Sequence, residues 1–208
     1  MSTAGSTMVT SVLLGAADVA AAETFYRGLG LGSRIGVRAE QEPSTGFRGY
    51  TLSLVVSQPG NVDAYVAAAL AGGATELKPA RKSLWGYGGA VQAPDGAIWT
   101  IASSSKKDTG PAVRQFDELV LLLGVADVKA SKQFYVDRGL VVQKSFGRKY
   151  VQFEAAPDGV TLALNGRAAL AKNAGVSPEG TGSHRIAVRG TAGPCTDPDG
   201  FRWETAPV

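Results

Sequence analysis

GAADVAAAETFYRGLGL, residues 15–31, and GVADVKASKQFYVDRGL, residues 124–140, are two copies of one stretch: Ala-Asp-Val, Phe-Tyr and Gly-Leu recur at a constant offset of 109 residues. A second pair closes each half, APDGAIWTIA from Ala93 and DPDGFRWETA from Asp197. Each long copy follows an apolar run, VTSVLLG in the first half and ELVLLLG in the second, so it reads as the corner where a strand feeds a helix. The chain is therefore a repeated module.

Outward from the first corner, the sequence predicts a strand over 9–15, a turn at Ala17-Asp18, an Ala-rich helix over 19–27 stopped by Gly28 and Gly30, and a strand over 31–39. A loop at 41–46 leads to a strand over 48–57, an amphipathic helix over 62–70, strands near 74–80 and 88–92, the Pro94-Asp95-Gly96 turn and a strand over 97–103. SSSKKDTG at 103–110 reads as a linker. It divides the chain into a first half of residues 1–104, a linker of 105–115 and a second half of 116–208. In the second half, a strand over 118–124, a helix over 128–136 and strands near 141–145, 149–155 and 160–165 precede a short helix over 168–174. A Pro/Gly loop at 177–183, a strand over 184–188 and the closing hairpin complete it. The pattern is a β-α-β opening, two full β-α-β-β-β groups, and a fourth group without its helix.

These residues resemble the glyoxalase and bleomycin-resistance group, the vicinal oxygen chelate superfamily. The likeness rests on the Asp-Val turn, the helix ending Phe-Tyr, the Gly-Leu that follows, and the stretch WGYGGAVQAPDGAIW at 85–99, which is similar to the closing hairpin of glyoxalase-like members. The resemblance implies an α+β fold of tandem βαβββ units, with curved mixed sheets forming cups and helices outside. The halves are expected to form either two partly open cups or one shared cup, pairing within one chain or across a dimer. Function has to come from the site, because one fold carries many chemistries.

Composition narrows the classes. At 208 residues and 44% hydrophobic content, the chain can bury a core. No apolar run approaches the roughly 20 residues needed to cross a bilayer, and MSTAGSTM lacks the pattern of a secretory signal, so a cytoplasmic protein is expected. The single Cys195 excludes an internal disulfide framework. The net charge of +3 divides as seven basic and seven acidic residues up to 104, then fourteen and eleven, too even for nucleic-acid binding. The expected partner is a small molecule, with no nucleic acid and no membrane, on a monomer or homodimer.

The resemblance also implies where a metal would sit: on the first strand, near the end of the first unit, at the start of the second unit's strand, and on a Glu of the closing strand. In the first half these positions offer Ser11, Thr51 and Thr100, and in the second Val120, Asn165, His184 and Glu204. Two sound ligands fall short of the three usual for a catalytic zinc, so no resident metal or other cofactor is expected, and at most one divalent ion held weakly in the second half. His184 and Glu204 are the candidate catalytic pair, since a histidine beside a carboxylate can act as a general base. Trp85 and Tyr87, in a Gly-broken stretch, are expected to line the cup mouth and stack on a flat ligand; Arg48, Tyr50 and Phe153 complete the ligand-binding set. The favoured reading is a metal-independent small-molecule binder taking a flat or amphipathic ligand. The alternative is a lyase, isomerase or dioxygenase using a reduced site at His184 and Glu204, with or without a divalent metal.

Overall fold

The recurring Asp of each corner is a helix N-cap. In the computed structural model, which describes residues 7–206, Asp18 accepts a hydrogen bond from the Ala21 amide and Asp127 accepts from Lys129 and Ala130, satisfying amides that a helix start leaves unpaired. The first group runs β1 (Val9–Ala16), α1 (Val19–Leu29), a 3-10 turn (Gly32–Arg34), β2 (Ile35–Ala39) and β3 (Ser44–Gly46). The second is β4 (Tyr50–Val55), α2 (Pro59–Ala71), β5 (Thr75–Ser83), β6 (Gly86–Gln92) and β7 (Ile98–Ser103). The third is β8 (Glu118–Val125), α3 (Val128–Val136), β9 (Val142–Phe146), β10 (Tyr150–Phe153) and β11 (Thr161–Gly166), followed by α4 (Arg167–Ala174). The last is β12 (Gly180–Gly182), β13 (Ile186–Gly190), β14 (Cys195–Thr196) and β15 (Arg202–Thr205).

Strand pairing runs across the two halves. The first and last groups build one five-stranded sheet, β14-β15-β13-β1-β2, through the antiparallel pair β1–β13. The middle groups build an eight-stranded sheet, β5-β6-β7-β4-β8-β11-β10-β9, through the antiparallel pair β4–β8. The halves thus pair within one chain. The segment between them is pinned to the start of α2, where the Gln58 side-chain oxygen accepts from the amides of Thr109 and Gly110.

The same interaction explains why the Phe-Tyr helix and the Pro-Asp-Gly hairpin recur together. The buried Tyr26 hydroxyl donates to Asp95 at 2.6 Å, and the buried Tyr135 hydroxyl donates to Asp197, also at 2.6 Å. Each ring lies beside the tryptophan of its closing strand, Trp99 at 5.7 Å and Trp203 at 5.5 Å. Tyr135 also meets Phe153 of β10, so this side chain of α3 touches residues of both sheets. Side chains alternate along a strand, so Tyr50, Leu52 and Leu54 enter this shared core with Trp99 and Leu121, while Thr51, Ile98 and Leu122 point to the opposite face.

Three local expectations change. The strand expected from residue 31 starts only at Ile35, because Gly32 adopts a φ of 64° and the chain makes a 3-10 turn first. The strand expected from His184 starts at Ile186, because Arg185 has a φ of 50°. The two segments expected as loops contain β3 and β12, which pair as a short antiparallel ladder.

Candidate functional site

A cleft of about 560 Å³ opens on the five-stranded sheet. Val12, Val188 and Trp203 occupy neighbouring register positions and face the core. By alternation Arg38 of β2, Arg189 of β13, and Arg202 and Glu204 of β15 project from the other face. Glu204 pairs with Arg38, and with Arg189 at 3.6 Å, on that face of the sheet. Arg38, Arg185 and Arg202 line the cleft together with Glu40, Glu42 and His184. Glycine at position 15 is required here: a Cβ would lie 2.6 Å from the Glu40 Cβ.

Arg185 is the one non-glycine residue with positive φ among those described. Such a backbone persists only where its surroundings hold it. Its guanidinium donates to the Glu42 carbonyl from Nη2 at 2.8 Å and Nε at 3.2 Å, and its carbonyl accepts from the Gly15 amide at 2.8 Å. These bonds fix one wall of the cleft.

The structure does not bring His184 and Glu204 together as a working pair. His184 Nδ1 lies 2.6 Å from the Arg48 carbonyl oxygen and Nε2 lies 3.1 Å from that of Asp199. A carbonyl only accepts and each tautomer of a neutral imidazole carries one N–H, so the ring donates to one of the two carbonyls and lies against the other, and both nitrogens face the backbone between the two sheets rather than a substrate. The ring also stacks on Phe201 at 4.1 Å. Glu204 is neutralised by its arginines. Among the described residues no group of three His, Cys, Asp or Glu is placed to hold a metal, so the classical divalent ion of the superfamily does not fit this donor set.

The expected ligand-binding residues are dispersed. Trp85 is 85% exposed at the tip of the β5–β6 hairpin, with Leu84 beside it, and lines no cup. Tyr87 donates to Asp63 at 2.8 Å, bracing that hairpin. Tyr50 and Phe153 are at most 1% exposed and belong to the core. Burial holds the Tyr50 phenol above its ordinary range. Arg48 donates to the Asp95 carbonyl at 2.6 Å. The expectation of an aromatic mouth is therefore replaced by a charged cleft whose residues, Arg38, Glu40, Arg185 and Arg202, sequence reasoning missed. The available signal was period-two charge: Arg38 and Glu40 leave β2 on one face, and Arg202 and Glu204 flank the buried Trp203.

No protein-family model and no curated protein matches this sequence. Solved structures do. Glyoxalase I from Zea mays is 14% identical and superposes with a TM-score of 0.61 over 95% of this chain and 91% of that one. Two point variants of that enzyme give TM-scores of 0.60 over 95% of this chain, at 14% and 15% identity and 92% and 91% of their own lengths. The chain has the fold of glyoxalase I. Among the described residues no helix is long and apolar enough to cross a membrane.

Proposed function

We propose that this is a metal-independent small-molecule binding protein of the glyoxalase/bleomycin-resistance type, taking an anionic ligand in the cleft of the five-stranded sheet. The observation that supports this reading is the set of three arginines, Arg38, Arg185 and Arg202, on a cleft of about 560 Å³. That volume lies within the range of small-molecule sites. Arg38 is tied to Glu204 and Arg185 to a backbone carbonyl, which holds both in place. Arg202 makes no hydrogen bond to another side chain among the described residues and is the group left to receive a carboxylate. A guanidinium binds a carboxylate through two parallel N–H bonds, which selects the ligand by geometry as well as charge. Glu40 and Glu42, which line the same cleft, favour a ligand that also carries a donor or cation.

The test is calorimetric titration with a panel of aromatic and aliphatic carboxylates and their neutral amides. Carboxylates bind, the amides bind at least about tenfold more weakly, and Arg202→Ala removes that difference. Saturable binding that ignores both the amide replacement and Arg202→Ala would refute the reading.

A further inference from the structure

The five-stranded sheet stops early on one side. β1 lies between β13, antiparallel, and β2, parallel, and β4 lies in the same way between β8 and β7. Beyond β7 the eight-stranded sheet goes on through β6 and β5, whereas beyond β2 no strand follows among the described residues. The first group thus lacks the two strands that the second group adds at this place. A cleft of about 520 Å³ opens along the unfilled edge, lined by Glu23 and Arg27 of α1 and by Ile35 and Val37 of β2.

An open edge invites pairing, and the other edges of the two sheets are blunted against it. β5 contains Pro79, the cations Lys78, Arg81 and Lys82, and two breaks in register. β9 breaks register once and carries Lys144, and β14 is two residues long. β2 has neither proline nor bulge, and its five residues pair with β1 in unbroken register. The Glu40 amide donates to the Ala16 carbonyl of β1 at 3.0 Å, so by alternation the backbone groups of Gly36 and Arg38 also turn to β1. Those of Ile35, Val37 and Ala39 turn outward, to the open edge.

We propose that a second copy of the chain docks on this edge, β2 pairing antiparallel with the partner's β2 across a two-fold axis at Val37. Outward groups must meet outward groups, and three registers pair two or more of them. Ile35 opposite the partner's Val37 sets Arg34 opposite the partner's Arg38, and Val37 opposite the partner's Ala39 sets Arg38 opposite the partner's Arg38. Like charges directly opposite destabilise a strand pair. Val37 opposite the partner's Val37 aligns all five residues of β2, sets Arg38 opposite the partner's Gly36, and sets Arg34 opposite the partner's Glu40. Charge therefore selects one register, and that register is self-complementary, as a closed dimer requires. The side chains of the partner's Ile35 and Val37 fall on the cleft side of the joined sheet, where the missing strand would have packed. The inference is independent of the carboxylate reading.

Sedimentation of the full chain and amide exchange read by NMR test the proposal. The native protein is a dimer at millimolar concentration and dissociates on dilution. The amides of Ile35, Val37 and Ala39 are protected in the dimer and exchange freely on dilution, while those of Gly36, Arg38 and Glu40 stay protected by β1 throughout. Val37→Pro removes one outward N–H from each copy and leaves the bonds to β1, weakening association about thirtyfold. Glu40→Arg leaves the backbone alone and sets Arg34 opposite a like charge, weakening association about tenfold; adding Arg34→Glu restores it to within about threefold. A monomer at millimolar concentration, a dimer that survives Glu40→Arg or a folded Val37→Pro, a double variant that stays apart, or protection at 35, 37 and 39 that ignores dilution each overturns the proposal. So does a monomer in which only an added peptide of alternating Val and Thr protects those three amides, which would give the edge to a foreign strand.

Discussion

Replacing His184 separates a structural histidine from a catalytic one. His184→Ala removes the contact of Nδ1 with the Arg48 carbonyl, that of Nε2 with the Asp199 carbonyl, and the stack on Phe201. A ring with one N–H donates to only one of the two carbonyls, so at about 1 kcal/mol for that hydrogen bond and about 1 kcal/mol for the ring pair, the loss is about 2 kcal/mol. In a chain of this length, each kcal/mol moves Tm by about 2–4 °C, so the midpoint falls by about 4–8 °C. His184→Asn keeps a donor near Nδ1 and loses the ring pair, for a cost of about 1 kcal/mol. Equilibrium unfolding in urea gives both values, and carboxylate titration below the transition shows whether the cleft survives. We expect lowered stability in the order Ala below Asn, with ligand affinity within about threefold of the native protein. A His184→Ala protein as stable as the native one but unable to bind or turn over any ligand would refute a structural role.

Three further outcomes follow from the tyrosine–aspartate anchors and the hairpin. Burial, then Asp197, raises the Tyr135 phenol above its ordinary pKa of 10. The unfolded chain therefore ionises first, and stability is lost as pH rises above about 10; Tyr135→Phe costs about 1–2 kcal/mol at neutral pH and flattens that alkaline slope in urea titrations from pH 7 to 11. Burial likewise raises the Asp197 carboxyl above 3.8 against the opposing hydrogen bond from Tyr135. Its contribution to stability is thus fully present below about pH 4 and falls as pH rises through the raised folded value. Asp197→Asn removes that slope, so the stability of the variant relative to the native protein improves between pH 4 and 7, and an unchanged difference would refute the assignment. Trp85→Ala leaves stability within about 0.5 kcal/mol and carboxylate affinity unaltered, because the ring is 85% exposed and away from the cleft; a tenfold loss of affinity would restore the aromatic mouth.

The fold was legible because its determinants are local and repeated. Asp18 and Asp127 cap their own helices, and the Phe-Tyr and Pro-Asp-Gly motifs mark two elements that lock together at Tyr26–Asp95 and Tyr135–Asp197. The site was less legible because its partners come from distant strands. Nothing near Glu204 announces that Arg38, 166 residues away, pairs with it, and Trp85 in its Gly-broken stretch looks like a pocket residue until the β5–β6 register turns it into a hairpin tip. The β3–β12 ladder joins Thr45 to Thr181 through three-residue strands too short for any periodic signal. The short helix expected over 168–174 was present in the pattern, but its seat on Ile98 and Leu122 depends on tertiary packing.

The most direct measurement of the central claim is a crystal structure of the protein soaked with the tightest-binding aromatic carboxylate of the panel. The account predicts the carboxylate on the Arg202 guanidinium, with the rest of the molecule between Arg38 and Glu42 and the Glu204 ion pairs intact. A ligand found instead against Trp85 at the hairpin tip, or bound through His184 released from the carbonyls of Arg48 and Asp199, would contradict it.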